Sequence, residues 1–218
     1  MARPEIFYSP HLAPAIAQIR QQRERLIASR ALLVVISGID GSGKGYITDI
    51  MAELLIRQQL KTAVINIDGW LHLPHQRFSN INPPEHFYHH AIRFDELFAQ
   101  LVLPLRKRRS LELEADYTEE TATDYRKHVY QYQDIDVILL EGIFLLKRPF
   151  QSTYDLSLWI ECSFETALKR AIARSQEGLS PDATVAAYET IYFPAQRLHF
   201  ERDQPQPAAT AMICNSRP

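Results

Sequence analysis

The segment LLVVISGIDGSGKGYITDIMAELL, residues 32–55, decides the fold of this chain. Its first part is a short apolar run rich in branched residues, which predicts a strand buried on both faces of a parallel sheet. Its last part has the apolar spacing of a helix. Between the two lies a glycine-rich loop that ends in Gly43 and Lys44. A strand, a glycine-rich turn and a helix in this order predict a site that binds phosphate groups.

The loop matches the pattern G-x-x-x-x-G-K through Gly38, Gly43 and Lys44. Glycines allow successive backbone N–H groups to turn towards phosphate oxygens, and the helix adds the N–H groups of its first turn. The lysine reaches the outer phosphates of a nucleotide. We expect the following residues to contact a bound nucleotide: Gly38, Asp40, Gly41, Ser42, Gly43, Lys44, Gly45 and Tyr46. The plain alternative is a strand-to-helix turn with an incidental lysine.

Position 45 departs from the usual pattern. In P-loop proteins a Ser or Thr follows the lysine, and its hydroxyl contacts magnesium. Here Gly45 and Tyr46 follow Lys44, and Thr48 comes later on the predicted helix. Two interpretations stay open on these residues alone. One is a working site that holds its metal in another way, and the other is a nucleotide-binding regulator that has lost catalysis.

The composition indicates an ordinary globular domain. The chain has 218 residues, of which 23% are charged and 46% hydrophobic, and this length suits one domain. A net charge of −2 provides no basic field that would attract nucleic acid or an anionic membrane. Cys162 and Cys214 lie in apolar stretches and are expected to be reduced, buried thiols. We expect a cytoplasmic protein without nucleic-acid or membrane partners.

Strand-like and helix-like segments alternate along the chain. Further apolar runs predict strands at residues 61–67, 136–140, 156–162 and 210–214. Helical patterns cover residues 14–30, 44–60, 91–107, 164–176 and 182–200. This order predicts a three-layer α/β fold with a mainly parallel, five-stranded sheet. Residues 68–90 and 108–133 are rich in Pro, aromatic and polar residues and are predicted to be long functional connections.

Two carboxylates follow predicted strands directly. Asp68 ends the second strand and Glu141 ends the third, so both are expected at the sheet edge that carries the glycine-rich loop. Asp68 is suited to hold hydrated magnesium or to accept the proton of an attacking hydroxyl. Glu141 is suited to a metal contact through water. The alternative for both is that they cap the turns that follow.

Two arginines lie on the predicted helix 164–176. Arg170 and Arg174 are four residues apart and therefore share one helix face. Such a pair could clamp phosphates in a lid that closes over the site. The alternative is a solvated helix face.

Three motifs resemble a known superfamily. GIDGSGKG (38–45), VINIDGWL (64–71) and VILLEGIFLL (137–146) resemble the P-loop kinases that include uridine kinases, phosphoribulokinases and pantothenate kinases. The resemblance spans residues 31–214 and implies a P-loop NTPase-type fold with a small helical lid. It implies ATP and Mg2+ as cofactors. Adenylate kinases, which are similar at the loop, also have glycine after the lysine and use magnesium-bound nucleotide, which implies that Gly45 need not abolish catalysis.

The resemblance also implies roles for individual residues. Lys44 and Asp68 are expected to be catalytic, with Asp68 as the base, and the lid arginines Arg170 and Arg174 are expected to act with them. Asp68 and Glu141 are expected to place magnesium, chiefly through water.

The resemblance places the acceptor site in the two long connections. NINPPEHFYHHAIRFDEL (80–97) resembles the segment after the catalytic aspartate of uridine kinases, where an aromatic residue lines the nucleoside site. ADYTEETATDYR (115–126) keeps tyrosines and an arginine but lacks the histidine that helps to recognise the pyrimidine. The residues expected to line the acceptor site are His72, Arg77, Phe78, Phe87, Tyr88, Tyr117, Tyr125 and Arg126.

These features together predict an ATP-dependent small-molecule kinase, in which the acceptor is a nucleoside-like or other small metabolite with a free hydroxyl. A kinase of pantothenate, a catalytically impaired regulator and an NTPase without a small acceptor are the alternatives. We expect one domain over residues 1–218, with an N-terminal helical extension (1–30), acceptor-site loops and helix (68–133) and a lid (165–182). ATP and the acceptor are the expected partners, and a homo-oligomer is compatible with the sequence.

Overall fold

A parallel sheet forms the centre of the molecule. The computed structural model describes residues 12–174 and 178–215. The strands are β1 (Leu32–Gly38), β2 (Thr62–Asn66), β3 (Leu111–Tyr117), β4 (Arg126–Tyr132), β5 (Val137–Gly142), β6 (Leu156–Glu161) and β7 (Ala211–Cys214). Five of them form one sheet in the order β2-β5-β1-β6-β7, and every neighbouring pair is parallel. The predicted five-stranded α/β fold is confirmed.

Helices cover both faces of this sheet. They are α1 (Ala13–Arg25), α2 (Lys44–Arg57), α3 (Pro74–Arg77), α4 (Pro83–His90), α5 (Phe94–Glu96), α6 (Leu103–Arg108), α7 (Arg148–Gln151), α8 (Phe164–Arg174), α9 (Pro181–Ala187), α10 (Phe193–Asp203) and α11 (Pro205–Ala208). The π-helical turns Leu97–Val102 and Tyr188–Tyr192 join α5 to α6 and α9 to α10. None of the helices in the described part of the chain combines the length and hydropathy of a membrane span.

The alternation of side chains along β1 creates two separate cores. All seven residues of β1 are buried, because successive side chains of a strand point to opposite faces and both faces are covered. Leu33 and Val35 join the core beneath α4, α6, α8 and α10. Leu32 and Val34 join the core beneath α1 and α2. The result is the three-layer arrangement that the sequence predicts.

The N-terminal helix packs on the α2 side of the sheet. Helix α1 is shorter than the predicted range 14–30, and its Ile16 and Ile19 are buried in the second core. Residues 1–11 of the predicted extension, and residues 175–177 of the predicted lid, lie outside the described residues.

Residues 108–133, predicted to be a long functional connection, contain regular structure that the sequence analysis does not predict. Strands β3 and β4 pair there as an antiparallel hairpin. The period of two is present in LELEADY, because Leu111, Leu113 and Ala115 pack on the core while the glutamates between them are exposed. Residues 68–90 also contain more structure than predicted, namely a 3-10 turn at Ile67–Trp70 followed by α3 and α4.

The two cysteines differ in exposure. Cys162 is buried after β6, and Cys214 is exposed at the end of β7, which forms an edge of the sheet. Neither cysteine is part of a disulfide bond. The expectation of two buried thiols is therefore wrong for Cys214, because successive side chains of β7 point to opposite faces and Ile213, not Cys214, is the one that is buried.

Candidate active site

The glycine-rich loop joins β1 to α2 at the carboxyl edge of the sheet. Gly41 and Gly43 have φ angles of +74° and +82°, which side chains rarely adopt. A Cβ atom at Gly41 would also lie 2.5 Å from the carbonyl oxygen of Ala167 in α8. Glycine at these two positions therefore permits both the turn and the close packing of the loop against α8.

The N-terminus of α2 opens into a cavity. Ile47 donates the first helical hydrogen bond, to the carbonyl oxygen of Gly43 at 3.1 Å. The N–H groups of Lys44, Gly45 and Tyr46 precede it in the chain, and these three residues line the cavity. The first N–H groups of a helix have no partner within the helix and, with its dipole, favour an anion. This end of α2 is suited to phosphate groups.

The cavity has a volume of about 450 Å³ and is lined by both charged and apolar residues. Its charged half is defined by Asp40, Lys44, Asp68, Glu141 and Arg174. Its apolar half is defined by Leu71, Phe78, Phe87, Ile143 and Tyr192. One cavity therefore combines a phosphate-binding helix terminus with a pocket for an organic group.

Lys44 lies between carboxylates. Its Nζ is 3.8 Å from Oε1 of Glu141, and the two side chains are only 12% and 6% exposed. Parallel register places Glu141 of β5 beside Asn66, the last residue of β2, and Asp68 follows two residues later. Residues at the ends of neighbouring strands are thus collected around one lysine, as the positions of Asp68 and Glu141 in the sequence predict.

Burial shifts the proton equilibria of both carboxyl groups. The pKa of Glu141 rises from 4.5 to about 7, mainly because the group is buried, and Lys44 opposes this rise while Asp68 and Asp40 add to it. The pKa of Asp68 is also raised, first by burial and then by Asp40, against the charges of Lys44 and Arg174. A cation beside these carboxylates would relieve the cost of their ionisation.

The donor set fits magnesium that is carried by a nucleotide. In the described part of the chain, no three His, Cys, Asp or Glu side chains are arranged to hold a metal ion on their own. Magnesium is commonly bound by one or two carboxylates together with substrate phosphates and water. Asp68 and Glu141, beside the N-terminus of α2, are suited to this second arrangement.

The space beside Gly45 is open. A Cβ atom built there meets only Oε2 of Glu141, at 3.9 Å. Thr48, the later hydroxyl of α2, donates to the carbonyl oxygen of Lys44 at 2.9 Å and is thus engaged within its own helix. Position 45 is therefore where a hydroxyl could be added next to the carboxylates without displacing other groups.

We expect Gly45→Ser to lower the Mg2+ concentration for half-maximal nucleotide binding by about 3- to 10-fold, because one added oxygen contact is worth about 1 kcal/mol. Gly45→Ala adds the same Cβ without a hydroxyl and is the matched control. Titration of Mg2+ at fixed ATP, followed by calorimetry, measures the effect. Equal shifts in the Ser and Ala variants would show that the hydroxyl does not reach the metal.

We expect Glu141→Gln to be more stable than the wild type at high pH. Because the folded-state pKa of Glu141 is raised to about 7, its stabilising contribution is complete below pH 4.5 and is lost as the pH rises through 7. The loss amounts to about 3 kcal/mol of unfolding free energy by pH 8. Urea unfolding of both proteins from pH 4.5 to 8 tests this, and Glu24→Gln on the exposed part of α1 is the control. A difference that is independent of pH would contradict the shift.

Arg170 braces the loop from the side of α8. Its guanidinium donates to the carbonyl oxygens of Ser42 at 3.0 Å and Asn215 at 2.8 Å. The Asn215 side chain donates to the same Ser42 oxygen at 2.8 Å. Arg170 also lines the cavity. These hydrogen bonds fix the shape of the loop. The sequence does not predict this positioning role of Arg170.

Arg174 and Asp40 lie next to each other in the charged half. Arg174 is 50% exposed and has its guanidinium 3.9 Å from Oδ1 of Asp40. That oxygen accepts a hydrogen bond from the N–H of Gly41 at 3.0 Å, and the other carboxylate oxygen accepts one from the hydroxyl of Tyr188. Of the two predicted lid arginines, Arg174 has the geometry of a side chain that can approach a phosphate from solvent.

Three of the predicted acceptor residues line the apolar half. The rings of Phe78 and Phe87 are stacked with centroids 5.7 Å apart, and Tyr192 lies 5.0 Å from Phe87. Arg77 is buried, and its guanidinium donates to the carbonyl oxygen of Glu120. Tyr192 is not among the residues that the sequence predicts, because no motif marks it on its helix.

Other predicted acceptor residues do not line this cavity. Tyr88 follows Phe87 on α4 but is buried on another side, where its hydroxyl donates to Asp203 at 2.5 Å. Tyr117 packs its ring against Gly69, so that a Cβ atom at Gly69 would clash with it. Arg126 is exposed and pairs with Glu119 at 2.6 Å. Tyr117 thus supports the turn that carries Asp68, while Arg126 lies on the surface of the hairpin.

His72 and Tyr125, the remaining predicted acceptor residues, lie near Arg93. The guanidinium of Arg93 lies 4.6 Å from the ring of Tyr125, whose hydroxyl donates to Gln76 at 3.1 Å. Burial lowers the pKa of His72.

In the predicted nucleotide loop, Gly38 and the Ser42 side chain are buried behind the cavity surface, so they shape the loop from within.

Solved structures with the same fold include several kinases. A protein from Bacillus stearothermophilus described as a possible uridine kinase matches with a TM-score of 0.71 and 18% identity, over 93% of this chain and 98% of its own. A provisionally named fructose transport system kinase from Silicibacter matches with a TM-score of 0.69 and 20% identity, over 90% and 97%. D-glycerate 3-kinase from Cryptococcus neoformans matches with a TM-score of 0.63 and 12% identity, over 87% and 88%.

The chain has the fold of a P-loop kinase. The resemblance in the three sequence motifs is thus confirmed at the level of the fold. No protein-family model matches the chain, and no curated protein matches it.

Proposed function

We propose that the protein is an ATP-dependent kinase that transfers the γ-phosphoryl group of Mg-ATP to a hydroxyl of a small molecule. The observation that carries the proposal is the single cavity described above. Lys44 and the N-terminus of α2 line it together with the aromatic residues Phe78, Phe87 and Tyr192, and Asp68 lines the same space. A nucleotide-binding protein without an acceptor has no need of the apolar half.

The residues support a mechanism based on positioning and charge. The N–H groups at the start of α2 and the ammonium of Lys44 would hold the outer phosphates and offset the negative charge that develops on them. Bound magnesium, held by Asp68 and Glu141 directly or through water, would neutralise phosphate charge. Arg174 would approach the phosphates from the lid, while Arg170 keeps the loop in shape.

Asp68 would serve as the base that orients the acceptor hydroxyl and takes its proton. A base works best when its pKa is close to the pH of the reaction, and burial moves the pKa of Asp68 in that direction. The lid and the apolar walls would exclude water, which would otherwise accept the phosphoryl group. Each step uses a side chain that lines the cavity.

The apolar half favours an acceptor with a flat or apolar part, such as a nucleoside-like metabolite. Phe78, Phe87 and Tyr192 provide ring faces on which such a group can stack. The proteins of the same fold carry names that refer to uridine, fructose and D-glycerate, and these compounds all carry hydroxyl groups. Pantothenate is a further candidate from the sequence resemblance.

A regulator that binds nucleotide without turnover is the second candidate. It is favoured by Gly45, which supplies no hydroxyl, and by Thr48, whose hydroxyl is bonded within α2. The test is ADP formation from Mg-ATP alone and with uridine, cytidine, pantothenate, D-fructose or D-glycerate. The kinase proposal predicts that one of these raises ADP formation. ATP binding without ADP formation in any mixture would favour the regulator.

A further inference from the structure

We infer that Gln196 selects the acceptor by hydrogen bonding to an amide or lactam edge of that molecule. The inference rests on the proposed function, because it concerns the acceptor half of the same cavity. Gln196 lies on α10, lines the cavity and is 0% exposed. Neither its Nε2 nor its Oε1 has a hydrogen-bond partner among residues 12–174 and 178–215.

A buried amide without partners calls for an explanation. Buried polar side chains are normally hydrogen-bonded, since leaving a donor and an acceptor unsatisfied destabilises the folded state. Proteins keep such a group where it binds something else. Gln196 is one of the residues that line the cavity, so the partner that we infer for its amide is a ligand that enters that cavity.

The position of Gln196 is fixed by the rest of its helix. Nδ1 of His199, three residues further along α10, lies 2.7 Å from Oδ2 of Asp203. The same oxygen accepts from Tyr88 of α4, and the other oxygen of Asp203 accepts from the N–H of Arg148 at 3.0 Å. This buried network holds α10 against α4 and the segment after β5. The helix cannot easily turn to give Gln196 access to solvent.

The surroundings of Gln196 limit the chemistry of its partner. A primary amide presents a donor and an acceptor side by side in one plane, and a lactam or carboxamide offers the complementary pair. Tyr192 lies one helical turn before Gln196 on the same face and lines the same cavity. The near-parallel rings of Phe78 and Phe87, at 16° to each other, supply a flat apolar wall. A planar group with a carboxamide or lactam edge can bond to Gln196 and stack on this wall. A polyol can bond to Gln196 but cannot stack.

The test compares Gln196→Met with the wild type in stability and in acceptor binding. Methionine fills a similar volume and has no amide. Without ligand, Gln196→Met is expected to raise Tm by about 2–6 °C, because it removes the unsatisfied groups. With uridine, KM and the concentration for half-maximal thermal stabilisation are expected to rise about tenfold or more, with a smaller change in kcat.

Two controls separate recognition from packing. Gln151 donates from Nε2 to the carbonyl oxygens of Leu146 at 2.8 Å and Asp203 at 2.9 Å. Gln151→Met is therefore expected to lower Tm and to leave the acceptor KM unchanged. The second control is a ligand: 3-methyluridine lacks the N–H of the uridine lactam, and wild type and Gln196→Met are expected to bind it equally weakly.

The outcomes distinguish this inference from the proposed function. Binding of uridine that depends on Gln196, without phosphoryl transfer, would support the inference and contradict the kinase. Transfer to D-fructose or D-glycerate with no effect of Gln196→Met would do the reverse. A lower Tm of Gln196→Met without ligand, unchanged affinity for uridine, or no binding of uridine by the wild type would overturn the inference.

Discussion

Replacing Lys44 by Met is expected to reduce phosphoryl transfer by about 10³-fold or more, because a preorganised positive charge on the outer phosphates is lost. We expect neither arginine that lines the cavity to replace it, because Arg170 is held by loop carbonyl oxygens and Arg174 lies 3.9 Å from Asp40. The affinity for ATP is expected to fall as well. The pKa of Glu141 would rise further, since Lys44 now lowers it.

Steady-state kinetics with the best acceptor, and ATP binding by calorimetry, measure both effects. Lys61→Met is the matched control, because the Lys61 side chain is exposed and its ammonium pairs with Asp134 on the surface at 3.4 Å. Activity of the Lys44→Met enzyme within tenfold of the Lys61→Met enzyme would remove Lys44 from the mechanism.

Replacing Asp68 by Asn is expected to lower kcat by about 10²- to 10⁴-fold, because the base that accepts the proton of the acceptor is lost. Affinity for metal-free ATP is expected to hold or to increase, because one negative charge leaves the phosphate-binding half, while the Mg2+ concentration that nucleotide binding needs is expected to rise. The two variants thus differ in a diagnostic way: Lys44→Met weakens turnover and the binding of metal-free ATP, whereas Asp68→Asn weakens turnover without weakening the binding of metal-free ATP.

The exposed partner of Lys61 supplies the control for this second variant. Asp134→Asn makes the same chemical change at a surface position, with a backbone φ of +53° that asparagine tolerates. It is expected to leave kcat unchanged. A kcat for Asp68→Asn close to that of Asp134→Asn would mean that Asp68 does not act as the base.

The sequence contains enough to predict the sheet and the charged half of the cavity. Each central strand is a mainly apolar run, because a parallel strand covered on both faces favours apolar residues at nearly every position. Asp68 and Glu141 could be assigned to the same edge because both directly follow such runs. Parallel neighbours end on the same side, so the chain order alone implies that these carboxylates meet near the loop.

The acceptor half could be predicted only in part. Phe87 and Tyr88 are adjacent in the sequence, but successive helix positions differ by about 100° in direction, and only Phe87 faces the cavity. Which of the two turns inward depends on how α4 packs against α10. That packing involves Asp203, which lies far along the chain and carries no motif.

The positions of Gln196 and Arg170 in the site could not be predicted from the sequence. A glutamine within an amphipathic helix is ordinarily a surface residue, and only the surrounding packing makes Gln196 buried and unpaired. Arg170 and Arg174 share a helix face in the sequence, yet one lies against loop carbonyl oxygens and the other beside Asp40. Their difference depends on how closely α8 approaches the loop at Gly41.

The most direct test of the kinase proposal is mass spectrometry of the small molecules after incubation with Mg-ATP and the acceptor panel. Wild type and Lys44→Met are run side by side. The proposal predicts one acceptor that gains a single phosphoryl group with the wild type and not with Lys44→Met, in an amount equal to the ADP formed. ADP and inorganic phosphate in equal amounts, with every acceptor unchanged, would contradict it.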